Sequence, residues 1–139
     1  MKVREIMSDP VLTLQHDTSA RAAAALLASY GYAAAPVTDG HGHVLGIVAE
    51  ADLLRASARA GFSGSIPVSS VMTREMICVG PGGDVVDTAT LLLDRAIRSV
   101  PVVEDGFLVG MVSRQDVLAA LARQELVGKD VWVHASADD

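Results

Sequence analysis

Asp52 and Asp116 end two matching stretches, Gly46-Ile-Val-Ala-Glu-Ala-Asp52 and Gly110-Met-Val-Ser-Arg-Gln-Asp116. In each stretch an apolar run gives way to a helical segment, so the carboxylate falls where a helix opens. A carboxylate there accepts hydrogen bonds in a fixed geometry, close to amide dipoles that favour an anion. Its simplest use is to cap the helix; its other use is to hold a polar ligand. Two arginines, Arg98 and Arg114, carry guanidinium forks that suit phosphate oxygens better than a lysine would. Arg98 also stands at the end of a helical segment, where a cation complements the dipole and ordinarily sits on the surface. The two stretches differ: Ser113 is matched by Ala49, and Glu50 lies close to Asp52, a combination that disfavours a phosphate beside Asp52.

Other reactive side chains carry less. His41 and His43 share a flexible turn with no third ligand in sequence, a poor metal site. His16 and His134 are isolated. Cys78, the single cysteine, has no intramolecular partner and no metal-type spacing. Its placement in an expected strand would leave it inert if buried, and a redox role through an intermolecular disulfide needs a lowered pKa. No nucleophile–base pair recurs, no glycine-rich phosphate loop precedes a helix, and no metal constellation is present, so the chain does not read as an enzyme.

The elements that position these residues occur twice. Val3-Arg-Glu-Ile-Met7 returns as Val68-Ser-Ser-Val-Met72 and Pro36-Val37 as Pro101-Val102, both 65 residues on, and the aspartate stretch returns after 64. The missing residue falls between the proline and the glycine, where the first copy has the longer turn. A block of this size used twice buries its apolar faces against its copy, and the seam is the first place to look for a ligand.

The first copy, residues 2–60, reads as a turn at Val3–Met7, an extended piece Val11–Leu14, and a helix Ala20–Tyr30 capped by Asp17-Thr-Ser19 and stopped by Gly31. Short strands Ala35–Thr38 and Val44–Val48 follow, joined by the glycine turn Asp39-Gly-His-Gly-His43. A second helix runs from about Glu50 to Ala60. The second copy, residues 68–126, repeats this with a strand Met76–Val79, a helix Asp84–Arg95, a hairpin Val100–Val103 with Leu108–Ser113, and a helix from Gln115 to about Leu126. Residues 61–67 read as a flexible linker. The tail, residues 127–139, has no counterpart, although Val131-Trp-Val-His134 alternates like a strand. Each unit is thus β-α-β-β-α, too small to stand alone, and the whole is an α+β fold in which each copy covers the other.

Composition agrees. Half of the 139 residues are hydrophobic and one in five is charged, which supplies a core and argues against disorder. With only 4% aromatic residues, that core is built from Ala, Val, Leu and Ile. The net charge of -6, carried mainly by the second half, disfavours general binding to a nucleic-acid backbone. No signal sequence and no run near the roughly 18 apolar residues of a membrane span is visible, so the chain reads as cytoplasmic.

The ordered set, present twice, resembles the CBS domain, named after cystathionine β-synthase, in tandem over residues 2–126. It comprises a Met-Ser/Thr turn, a capped helix, an apolar-Pro-Val strand, a glycine turn and Gly-h-h-x-x-x-Asp (h, apolar). The resemblance implies a disc with a pseudo-two-fold axis and two clefts for adenosine compounds such as AMP, ADP, ATP or S-adenosylmethionine, held as regulatory ligands rather than cofactors. It implies that the Asp opening the last helix takes the ribose hydroxyls and that the Ser or Thr three residues earlier contacts phosphate. The cleft of Asp116 would then use Ser113, Arg114 and Gln115, with Met7, Leu12, Tyr32, Ala33 and Arg98 as its other walls. The cleft of Asp52 would use Met72, Ile77, Ile97 and Ala33, and would hold adenosine alone or nothing. The Asp116 cleft is expected to be the better nucleotide site.

Such modules usually regulate an attached enzyme or channel. A stand-alone pair is expected to act in trans on a protein partner as a nucleotide sensor. The rival expectation is a ligand-independent interaction module, dimerised through Leu53, Leu54, Val117, Leu118 and Leu121. A homodimer is expected under both, with no nucleic acid and no membrane as partner.

Overall fold

The computed structural model describes residues 1–9, 12–60 and 66–123. Most of the expected linker, the tail and the expected end of the last helix beyond residue 123 lie outside these. The elements, in chain order, are β1 (Leu14–Gln15), α1 (Ala20–Tyr30), β2 (Ala34–Thr38), β3 (Val44–Ala49), α2 (Glu50–Ala60), α3 (Val85–Asp94), β4 (Ser99–Glu104), β5 (Phe107–Ser113) and α4 (Arg114–Arg123). Short 3₁₀ turns at Val3–Glu5 and Val68–Ser70 precede each set.

Local chemistry explains the helix ends. The Ser19 hydroxyl accepts the Ala22 amide at 3.1 Å, and Asp84 accepts the Asp87 amide at 3.1 Å, each meeting an amide that the helix itself leaves unpaired. Gly31 closes α1 at φ 69°, a left-handed conformation that glycine adopts without strain. The matching position after α3 is Ala96, which adopts φ 53° with a Cβ to accommodate.

In the first copy β1, β2 and β3 form a sheet in that order, β1 parallel and β3 antiparallel to β2. The second sheet contains β4 and β5 alone, antiparallel. The strand expected at Met76–Val79 is reduced to one parallel bridge between Val79 and Val102. Gly80 and Pro81 follow at once, and proline has no amide to continue the ladder.

Each copy's opening turn packs on the other copy. The Val3 amide donates to the Gly83 carbonyl at 2.8 Å, and the Val68 amide donates to that of Thr18 at 2.8 Å. Likewise Ser8 bridges Met111, and Thr73 bridges Ile47. These contacts are related by the repeat offsets, which is the pseudo-two-fold symmetry in atomic terms. Two apolar cores result. One joins Val68 to Leu14, Leu27, Val37, Val48 and Leu53 of the first copy. The other joins Val3 and Ile6 to Leu92, Val100, Val112 and Val117 of the second. Both apolar cores thus cross from one repeat to the other.

The hairpin tips also meet. The Leu108 amide donates to the Gly42 carbonyl at 3.0 Å, and the His43 ring lies 4.4 Å from that of Phe107.

The apolar helix face proposed for dimerisation needs correcting. Leu53 and Val117 are buried in their own cores, and Leu121 packs partly buried against the second. Only Leu54, 69% exposed, and Leu118, 60% exposed, face outward from that set. Among the described residues no helix is long and apolar enough to cross a membrane.

Candidate functional site

Two clefts open on the seam, on either side of the segments that lead into β2 and β4. The first has a volume of about 480 Å³ and is floored by the start of α4. Here Ser113 and Asp116 form a reciprocal cap. The Asp116 carboxylate accepts the Ser113 amide at 2.8 Å, and the Ser113 hydroxyl accepts the Asp116 amide at 3.1 Å. The same hydroxyl lies 3.0 Å from Asp116 Oδ2, and the Ser8 hydroxyl reaches both carboxylate oxygens at 3.3 and 3.4 Å. The carboxylate thus caps its helix and still borders open space.

Leu12, Tyr32, Ala33, Arg98, Ser113, Arg114, Gln115 and Asp116, the positions the family resemblance implies, all line this cleft. Tyr32 is 42% exposed and stacks on Tyr30, with ring centroids 5.7 Å apart. Met7 is not a wall. It turns back over Gly110, where an added Cβ would stand 2.7 Å from the Met7 sulfur. Arg114 is anchored by its own fold: Nε donates to the Ile97 carbonyl at 3.0 Å and an Nη to that of Leu92 at 3.2 Å, closing the end of α3. Arg98 instead pairs with Glu50 at 3.0 Å, its exposed guanidinium lying on the cleft rim.

The second cleft, about 360 Å³, is lined by Asp52, Ile77, Ile97 and Ala33 as expected, but not by Met72, which packs over Gly46 as Met7 does over Gly110. Asp52 accepts the Ala49 amide at 2.8 Å and pairs with Arg55 at 3.0 Å. Ala49 has no hydroxyl to return a bond, so only half of the cap forms. The charges differ too. Arg98 and Arg114 line the first cleft together with Asp116, whereas Glu50, Asp52 and Glu75 outnumber Arg55 and Arg98 in the second. Coulomb attraction therefore favours an anion in the first.

A profile of the CBS domain matches residues 3–59 and again residues 68–123. The chain belongs to the CBS-domain family. Over 126 residues it is 28% identical to the CBS domain-containing protein YhcV of Bacillus subtilis, covering 91% of this chain and 89% of that one. It is 31% identical over 121 residues to the A-adding tRNA nucleotidyltransferase of Aquifex aeolicus, covering 87% of this chain but only 14% of that enzyme's length. Among solved structures, the CBS domain pair of protein MJ0100, in complex with 5′-methylthioadenosine and S-adenosyl-L-methionine, aligns with a TM-score of 0.79 at 27% identity, covering 89% of this chain and 98% of that one. CBSX2 in complex with AMP aligns equally well at 26% identity, covering 89% and 98% of the two chains. Both of these related CBS proteins thus bind adenosine compounds.

This CBS pair also brings to its clefts residues that the sequence pattern did not single out. Ser8 enters because the opening turn crosses to the other copy. Ser99 borders both clefts, and its Oγ is buried with no hydrogen-bond partner. The repeat offset matches Ser99 to Ala34, and that mismatch was the available signal.

Other candidates lie apart from the clefts. The His43 ring and the amides of His41 and His43 bond to the Asp39 carboxylate within their turn. Among the described residues no three His, Cys, Asp or Glu side chains gather as a metal site would need. Cys78 is exposed, and partial burial pushes its thiol pKa up, which leaves little thiolate at neutral pH and weighs against redox sensing.

Proposed function

We propose that this CBS pair is a regulatory module that binds an adenosine-containing ligand in the Asp116 cleft and signals to a protein partner in trans. AMP, ADP, ATP and S-adenosylmethionine are the candidate ligands. The observation that carries this reading is a cleft lined by both a half-buried carboxylate, Asp116, and an exposed guanidinium, Arg98. In this reading the ribose hydroxyls donate hydrogen bonds to the Asp116 carboxylate, and Arg98 pairs with a phosphate. Ser113, Arg114 and Gln115 line the phosphate side, while Leu12, Tyr32 and Ala33 wall the base. The Asp52 cleft, with Ile77, Ile97 and Ala33, takes a neutral adenosine or stays empty. The AMP and S-adenosylmethionine complexes of related pairs support the ligand class.

The module is regulatory rather than catalytic, works in the cytoplasm and assembles as a homodimer through the outer helix faces around Leu54 and Leu118. Binding shifts its conformation only as far as the ligand prefers one state over the other. Calorimetry with the four ligands tests the reading. Binding below millimolar concentration that Asp116→Ala abolishes is expected; no binding by any of them sinks it. The alternative, a ligand-independent dimer, is favoured by the exposure of Leu54 and Leu118 and predicts equal thermal stability with and without nucleotide.

A further inference from the structure

One ion pair stands where three cavities meet. Arg98 borders the Asp116 cleft, the Asp52 cleft and a groove of about 490 Å³ between α1 and α2; Glu50 borders the last two. An Arg98 Nη donates to Glu50 Oε1 at 3.0 Å, joining the start of α2 in one copy to the segment after α3 in the other. The side chains are 69% and 53% exposed, so they hold each other without being locked by packing. Exposed pairs of this kind are weak and exchange partners readily. The bond has no image across the pseudo-two-fold axis, because the repeat offsets match Arg98 to Ala33 and Glu50 to Arg114.

We propose that this pair couples the two clefts through competition for one guanidinium. The inference rests on the reading that the Asp116 cleft takes a phosphate-bearing ligand. A phosphate there draws Arg98 from Glu50 and leaves Glu50 unpaired on the wall of the Asp52 cleft. That wall already carries Asp52 and Glu75, and Arg55 is committed to Asp52 at 3.0 Å. The Asp52 cleft then repels a second phosphate and favours a neutral or cationic ligand. Coupling free energy is reciprocal, so an anion in the Asp52 cleft that takes Arg98 weakens phosphate binding beside Asp116 by the same factor. The asymmetry of the two copies thereby becomes a rule: the second nucleotide binds more weakly than the first.

The test measures AMP and adenosine affinities by calorimetry for the wild-type chain, Glu50→Gln, Arg98→Gln and the double variant. Glu50→Gln frees Arg98, and the preference for AMP over adenosine is expected to rise about 2- to 5-fold, the scale of an exposed ion pair. Arg98→Gln removes most of that preference, and adding Glu50→Gln to it changes nothing further. If Glu50→Gln gives the same gain in both backgrounds, Glu50 acts by its own charge and the coupling through Arg98 is refuted. An unchanged preference in Glu50→Gln, in a protein that still binds AMP, refutes the coupling and spares the ligand reading. A wild-type chain that binds neither compound overturns both.

Discussion

The two copies serve as each other's control, and the caps of α2 and α4 use this most directly. At α4 the cap is reciprocal, with Ser113 bonding the Asp116 amide at 3.1 Å and Asp116 bonding the Ser113 amide at 2.8 Å. At α2 only the second half exists, from the Ala49 amide to Asp52 at 2.8 Å. Removing a serine cap costs about 1 kcal/mol, within a range of roughly 0.5–2. Ser113→Ala therefore destabilises the fold by about 1 kcal/mol, and Ala49→Ser stabilises it by a similar amount. Ala49 borders the 360 Å³ cleft, so the added hydroxyl has room. The two sites share no hydrogen-bond partner, so the effects should add and the double exchange should return to within about 0.5 kcal/mol of the parent. In melting temperature each step is about 3–5 °C for a chain of this size. Urea unfolding with unchanged m-values is the assay. An Ala49→Ser chain no more stable than the parent would refute the capping argument, since every other member of that cap is already in place. The exchange also separates roles at Ser113: an AMP affinity that falls in Ser113→Ala by more than the fold loosens would mark the hydroxyl as a ligand contact.

Three further outcomes follow from geometry. Ala96→Gly relieves a left-handed alanine at φ 53° and should stabilise by about 1 kcal/mol, after allowing for the extra freedom of glycine in the unfolded chain; urea unfolding reads it. Gly46→Ala should destabilise more than Gly110→Ala, because its Cβ meets the Thr73 carbonyl at 2.8 Å as well as the Met72 sulfur, while at Gly110 the nearest backbone atom is 3.2 Å away; about 1–3 kcal/mol is expected, with the order decided by thermal melts. Burial raises the Asp39 carboxyl, but the His41 and His43 amides and the His43 ring more than offset this and hold it at about 2 against an ordinary 3.8. Its contribution is complete above about pH 4 and is lost as pH falls toward 2, so Asp39→Asn should flatten the acid limb of stability measured from pH 5 to 2.

The helices were legible because their ends carry side chains with one clear use. Ser19, Asp84 and Gly31 are capping residues, and α1 and α2 fall where the sequence sets them, at Ala20–Tyr30 and Glu50–Ala60. The expected Met76–Val79 strand keeps only its Val79 bridge, and Pro81 has no amide to extend the pairing beyond it. The family resemblance implied Met7 and Met72 as cleft walls, but a resemblance does not show which way a flexible thioether points, and both pack over the bare glycines of the other copy. Ser113 stood out because its partner is alanine. Ser99 has the same kind of mismatch and is the hydroxyl left without a partner, which only the packed structure reveals.

The crossing of the opening turns bears most on how such a module could respond. Val3 and Val68 are both fully buried, each in the core of the other copy. Burying a valine side chain is worth about 1.5–3 kcal/mol, a sizeable share of the net stability of a domain. Nothing in the sequence could assign them, because matching valines fit matching cores equally well. The consequence is that neither repeat is a thermodynamic unit: each lacks its own lid and carries the lid of its neighbour. Ser8 follows Val3 on the same strap, bonds Met111 at 2.8 Å and touches Asp116. The Asp116 carboxylate is thus in contact with a strap whose other end, Val3, lies in the core of the second copy. Among the described residues the halves are joined through these exchanged straps, so a ligand seated against Ser8 and Asp116 touches segments of both.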